Sequence, residues 1–90
     1  MIENKNYHHE AMPLIAVALE NCDTIEDRVR EDPNRSAGEL PESAGEFVEQ
    51  VKPKLVSVQQ YGKDNLRVSL AQYNMVVGIA GGLEKWLSNV

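Results

Sequence analysis

Along three stretches of the chain, apolar residues recur at steps of three and four, with polar residues between them. In the first, Met12, Ile15, Leu19, Cys22, Ile25 and Val29 share one helical face. The spacing predicts a helix over 12–31, helix A. Pro13 suits its first turn, where a missing N–H is no loss, and Pro33 comes just past its end, with Asp32 biased out of the helical region. In the second stretch, Phe47, Val48, Val51, Leu55 and Val58 predict helix B over 43–61. Pro53 lies inside it, removes one backbone hydrogen bond and crowds the preceding turn, so a kink near Gln50 or a fresh start at Pro53 is expected. Gly62 is expected to end helix B in the left-handed conformation, and Asp64 or Asn65 to cap the next helix.

The third stretch predicts helix C over 65–88. Leu66, Leu70, Tyr73, Val77, Ala80, Leu83 and Leu87 form a near-heptad seam. The fold class is therefore all-α: a three-helix bundle, or a long helical hairpin with a kinked second helix.

Glycines interrupt helix C where it is most apolar. Gly78 and Gly82 stand four apart, with Ala80 and Gly81 between. Each glycine costs about 1 kcal/mol in an exposed helix interior. Close approach by another helix would offset that cost. The candidates are helix A, whose segment 13–19 is apolar on all sides, or helix C of a second chain. The candidate interaction residues are thus Tyr73, Val77, Gly78, Gly82, Leu83 and Leu87, and the expected partner is a protein or a second copy.

Between helices A and B the sequence Ser-Ala-Gly-Glu occurs twice, at 36–39 and 43–46. Ser-x-x-Glu is a capping-box pattern, and the second copy is the better start for helix B. Residues 1–11 are polar and without period, and are expected to be a flexible segment preceding a single domain that otherwise fills 1–90.

Charge narrows the functions. Fourteen acidic and nine basic residues leave a net charge of −5. Lys52, Lys54, Lys63 and Arg67 form only a loose basic group, which argues against nucleic acid and anionic membrane surfaces as partners. One cysteine allows no disulfide within the chain. No basic-then-apolar leader is present, and no apolar run approaches the ~18 residues of a membrane span. A cytoplasmic protein is the simplest expectation, with export without a cleaved signal as the alternative.

Candidate chemistry is sparse. His8, His9 and Glu10 with Cys22 could supply metal ligands, but adjacent histidines do not share a helix face and no second cluster has metal spacing. Cys22 lies on the apolar stripe among Glu20, Asp23, Glu26 and Asp27, a setting that disfavours a thiolate. Asp23, Asp27 and Glu31 repeat every four residues as an acidic ridge, with Glu26–Arg30 as a compensating pair. The ridge reads as a solvated face, or as a strip for a basic partner. Without a glycine-rich phosphate loop or a cleft-forming pair of acids, neither an enzyme nor a cofactor is expected.

One resemblance adds to this reading. Gln72, Tyr73 and Asn74, then the small run Gly78 to Gly82, then Leu83 to Leu87, resemble the C-terminal helix of type III secretion needle subunits. It spans about 25 residues. The turn before it differs, since residues 61–65 read Tyr-Gly-Lys-Asp-Asn where that family carries a Pro-containing turn. The resemblance implies a helical structural subunit or accessory protein of a bacterial secretion apparatus. The residues themselves point more broadly to a non-catalytic, self-associating interaction module.

Overall fold

The computed structural model describes residues 6–30 and 42–88, which form three helices: α1 His8–Arg30, α2 Glu42–Asn65 and α3 Leu70–Ser88. No strand occurs among the described residues. The chain is an all-α three-helix bundle, with no long two-armed hairpin. α1 packs along both other helices, whereas α2 and α3 touch each other far less. The core lies along α1. Ala11, Ile15, Ala18, Cys22 and Ile25 face Ala44, Val48, Val51, Leu55 and Val58 of α2 and Val76, Ile79, Ala80 and Leu83 of α3.

The stripe read for helix A is the buried face of α1. Alanines 11 and 18 complete it, while Met12, Leu19 and Val29 pack at its borders. The helix starts earlier than expected, at His8, so Pro13 is its sixth residue and not part of its first turn. Residues 6–11 are likewise no loose segment. Tyr7 N–H donates to the Val68 carbonyl (2.9 Å), and the Tyr7 ring stacks on Tyr73 with centroids 5.0 Å apart. Asn6 is the hinge of this contact. Its Oδ1 accepts from the N–H groups of His8 and Val68 (3.0 Å each), and its Nδ2 donates to the Leu66 carbonyl (2.9 Å). One side chain thus serves the start of α1 and two backbone groups of the α2–α3 connection. Polar composition concealed a segment that is held by backbone-type hydrogen bonds.

α2 differs from expectation at three places. It runs unbroken through Pro53, which excludes one of the two expectations there, the fresh start. Pro53 is exposed, and so is Glu49, whose carbonyl loses its helical partner to the proline. α2 starts at Glu42, one residue before Ser43, so Ser43 stands inside the helix and is not its cap. Gly62 does not end it either; it lies buried within the last turns. A Cβ there would sit 2.7 Å from Met12 Sδ and 3.3 Å from Val68 Cγ2, so this glycine is needed for close packing against α1 and the connection.

The left-handed residue that closes α2 is Leu66, with φ of 53°. Its N–H donates to the Gly62 carbonyl (2.8 Å), and Asn65 Nδ2 donates to the Tyr61 carbonyl (2.9 Å). The first bond satisfies a carbonyl left open by the end of the helix, and the second adds a side-chain donor to a carbonyl of the last full turn. A branched residue in this conformation costs about 1–2 kcal/mol. Because Leu66 is 68 % exposed, little burial offsets that cost. Leu66→Gly is therefore expected to stabilise the fold by roughly 1 kcal/mol, less the entropy glycine adds to the unfolded chain. Urea denaturation checks this; a clear loss of stability would mean that the Leu66 side chain has a packing role.

α3 starts at Leu70, five residues later than expected, and its cap is Ser69 in place of Asp64 or Asn65. Ser69 Oγ accepts from the Gln72 N–H (3.1 Å), and Gln72 Oε1 accepts from the Ser69 N–H (2.9 Å). This is a capping box of the Ser-x-x-Gln form. The first Ser-Ala-Gly-Glu copy, Asp32, Pro33, Glu31 and the Arg30 side chain lie outside the described residues.

Candidate interaction surface

The residues singled out on helix C do not gather on one face. Leu83 is fully buried in the core. Tyr73 and Leu87 are half-buried at its margin, Tyr73 beneath Tyr7. Val77 is 44 % exposed. The buried line of α3 runs through Val76, Ile79, Ala80 and Leu83, so the expected seam is off by one residue in its first half. Leu66 and Leu70, which began that seam, are exposed. Both lines keep helical spacing because this part of α3 is apolar nearly all round; contact with α1 selects Val76 over Val77.

The glycines divide the same way. At Gly82 a Cβ would lie 2.8 Å from Phe47 Cζ, so the close approach is to a side chain of α2 and not to α1. At Gly78 and Gly81 a Cβ would meet nothing within 4 Å. The packing of one chain therefore explains Gly82 and leaves Gly78 and Gly81 without a neighbour among the described residues. Beside Gly81 the outer side of α3 presents Leu70 (49 % exposed) and Val77, while Met75 (36 % exposed), two residues from Val77, lies on another flank of the helix. From Leu70 to Leu83 it carries no charged residue; Glu84 is the first.

Phe47 and Trp86 are not among the candidates that spacing suggests. They are half-buried on facing sides of the sparse α2–α3 seam, where with Gly82 and Lys85 they line a hollow of about 310 Å³. The signal for them in the sequence is weak: a single Phe on the helix B stripe and the sole Trp, one residue before Leu87. A second, shallower hollow lies on α2 alone, lined by Glu49, Lys52, Pro53, Val56 and Ser57.

Electrostatic features are structural in kind. Lys52 of α2 reaches two acids of α1, donating to Asp23 Oδ1 (3.1 Å) and Glu26 Oε1 (3.3 Å). These bonds, to Asp23 first and then Glu26, hold the Lys52 ammonium above its ordinary lysine range. The acidic ridge is thus partly engaged within the fold, while Glu20 and Asp27 stay at the surface. At this exposure the clasp contributes about 0–1 kcal/mol.

Cys22 is fully buried, as its place on the stripe predicts. Burial pushes its thiol pKa up, and the nearby Lys52 only partly counters this. Thiol reagents attack the thiolate. Native protein is expected to label at Cys22 at least about a hundredfold more slowly than protein in denaturant, as an opening free energy of a few kcal/mol requires. Fast native labelling in a timed thiol assay would show that the α1–α2 seam is open.

His8 and His9 meet edge to face, 6.0 Å apart. Cys22 lies thirteen residues beyond His9 on the same helix, a rise of about 20 Å, so these residues cannot share one ion. Among the described residues no three His, Cys, Asp or Glu side chains come together in a metal-binding group. No described helix is long and apolar enough to cross a membrane.

Fold and surface together define the class: a small three-helix bundle with Leu70 and Val77 exposed on an uncharged stretch of α3. Beyond that class, the chain matches no protein-family model, no curated protein and no solved structure.

Proposed function

We propose that this chain is a non-catalytic protein–protein interaction module that associates with copies of itself through the outer face of α3. The observation that carries this is the exposure of Leu70 and Val77, seven residues apart on one side of a helix stretch without charge. Exposed apolar clusters of this kind are a feature of association sites. A second copy is the occupant that this uncharged stretch admits despite the net charge. The chain carries −5, so two copies repel over most approaches, and this face brings no like charges together through its length. The open flanks of Gly78 and Gly81 would let a partner backbone come close and offset the glycines' helix cost, about 1 kcal/mol each.

A stable standard interface covers about 800 Å² on each partner, more than one helix face offers. The expected complex is therefore weak and concentration-dependent. Light scattering across the micromolar range should show mass rising from one chain towards two. Val77→Asp places a charge on the face without touching the core, and should weaken association about tenfold or more, as burial of an unpaired charge requires. A single-chain mass at every concentration defeats the proposal, as does unchanged association of Val77→Asp. Filaments in place of a closed dimer would favour the secretion-subunit reading that the C-terminal helix suggests.

A further inference from the structure

The hollow between α2 and α3 has a character that self-association does not use. Its walls are two aromatic rings, Phe47 from α2 and Trp86 from α3. Its floor is Gly82, where the missing side chain lets the Phe47 ring lie across α3. Its only cation is Lys85, on the exposed side and in no ion pair among the described residues. The hollow lies where α2 and α3, which both lean on α1 and have few contacts with each other, meet through Phe47 and Gly82. Its volume of about 310 Å³ falls at the small end of ligand sites, which run from about 300 to 1,000 Å³.

We infer that this hollow is a binding site for a small amphiphilic carboxylate: an apolar body between Phe47 and Trp86, with its carboxylate against the Lys85 ammonium. Three features define that chemistry. Aromatic walls beside a glycine take up an apolar body, and the Trp86 indole N–H is the one side-chain hydrogen-bond donor that those walls carry. One lysine supplies one point charge, which suits a single anionic head and not a polyphosphate. The chain's overall −5 charge makes an isolated cation beside an apolar hollow selective, because anions without an apolar body gain little by approaching.

The site goes beyond the self-association reading and stands independently of it. Trp86 is the only tryptophan, so its fluorescence reports the hollow directly. The probes are octanoate, octanol and acetate, each kept below any micelle-forming concentration. They are titrated at a protein concentration where light scattering shows constant mass, so that changes in association do not enter the signal. Octanoate should give a saturable change in Trp86 fluorescence. It should bind about threefold or more tightly than octanol, the scale of a partly exposed ion pair. Acetate should give none. Lys85→Met, at an exposed position, should erase the preference for octanoate and leave octanol binding intact. Amide NMR shifts at Gly82 and Phe47 should move with the same saturation curve. No saturable change, equal binding of octanol and octanoate, or a preference that survives Lys85→Met each overturns the inference.

Discussion

Leu83→Ala is expected to destabilise the folded chain by about 2–5 kcal/mol, the largest loss foreseen for a single position here. Leu83 is fully buried where α3 meets the core residues of α1 and α2. Truncation removes its transfer free energy and leaves a cavity that the surrounding core can only partly fill. In a chain of this size each kcal/mol moves the melting temperature by about 4–8 °C, so a drop of roughly 8–40 °C should be visible by circular dichroism. The paired control is Val77→Ala. Both residues lie on the seam read from sequence, yet Val77 faces out, and its truncation should change monomer stability by no more than about 0.5 kcal/mol. Equal losses at the two positions would mean that α3 is rotated from the orientation described.

Pro53→Ala should act in the opposite direction and raise stability by about 1–3 kcal/mol. Proline in a helix interior costs about 3 kcal/mol relative to alanine, through the lost N–H bond to the carbonyl four residues back and the ring's crowding of that turn. Part of the gain is cancelled, because alanine gives the unfolded chain freedom that proline denies it, worth about 0.4–1 kcal/mol. Pro53 is exposed within an unbroken α2, so no core contact is lost with it. Urea denaturation measures the difference. A loss of stability would show that the proline fixes a bend that Leu55 and Val58 need in order to reach α1.

The candidate surface is only half legible in the sequence. Tyr73, Val77, Gly78, Gly82, Leu83 and Leu87 read as one interaction set because they share helical spacing. The fold assigns them to different surroundings: Leu83 to the core, Gly82 to Phe47, Tyr73 to Tyr7, and Val77 and Gly78 to the outer side. Spacing identifies the residues that could share a face, but in a stretch apolar on most sides it offers several such sets. The hollow at Phe47 and Trp86 is invisible in the sequence for another reason. It is made by residues 39 positions apart, brought together by two helices that meet mainly through a third.

What the sequence determined by itself is local in origin. Steps of three and four between apolar residues place three helices and most of their buried stripes, because the 3.6-residue period is a property of each segment alone. The burial of Cys22 comes from its place on such a stripe. The Ser69–Gln72 capping box is equally local, since its four residues are contiguous, although the pattern of apolar steps pointed to Asp64 or Asn65 as the cap. Tertiary structure decided everything that depends on which surfaces meet. It chose Val76 over Val77 as the buried line of α3, carried α2 through Pro53, and buried Gly62 against Met12 in mid-helix while leaving Leu66 to make the left-handed turn. It also bound residues 6 and 7 to the α2–α3 connection, about sixty positions away, through one asparagine and the Tyr7 backbone. Several of these outcomes set a local cost of about 1–3 kcal/mol against packing gained elsewhere in the bundle, and a local pattern holds only the cost.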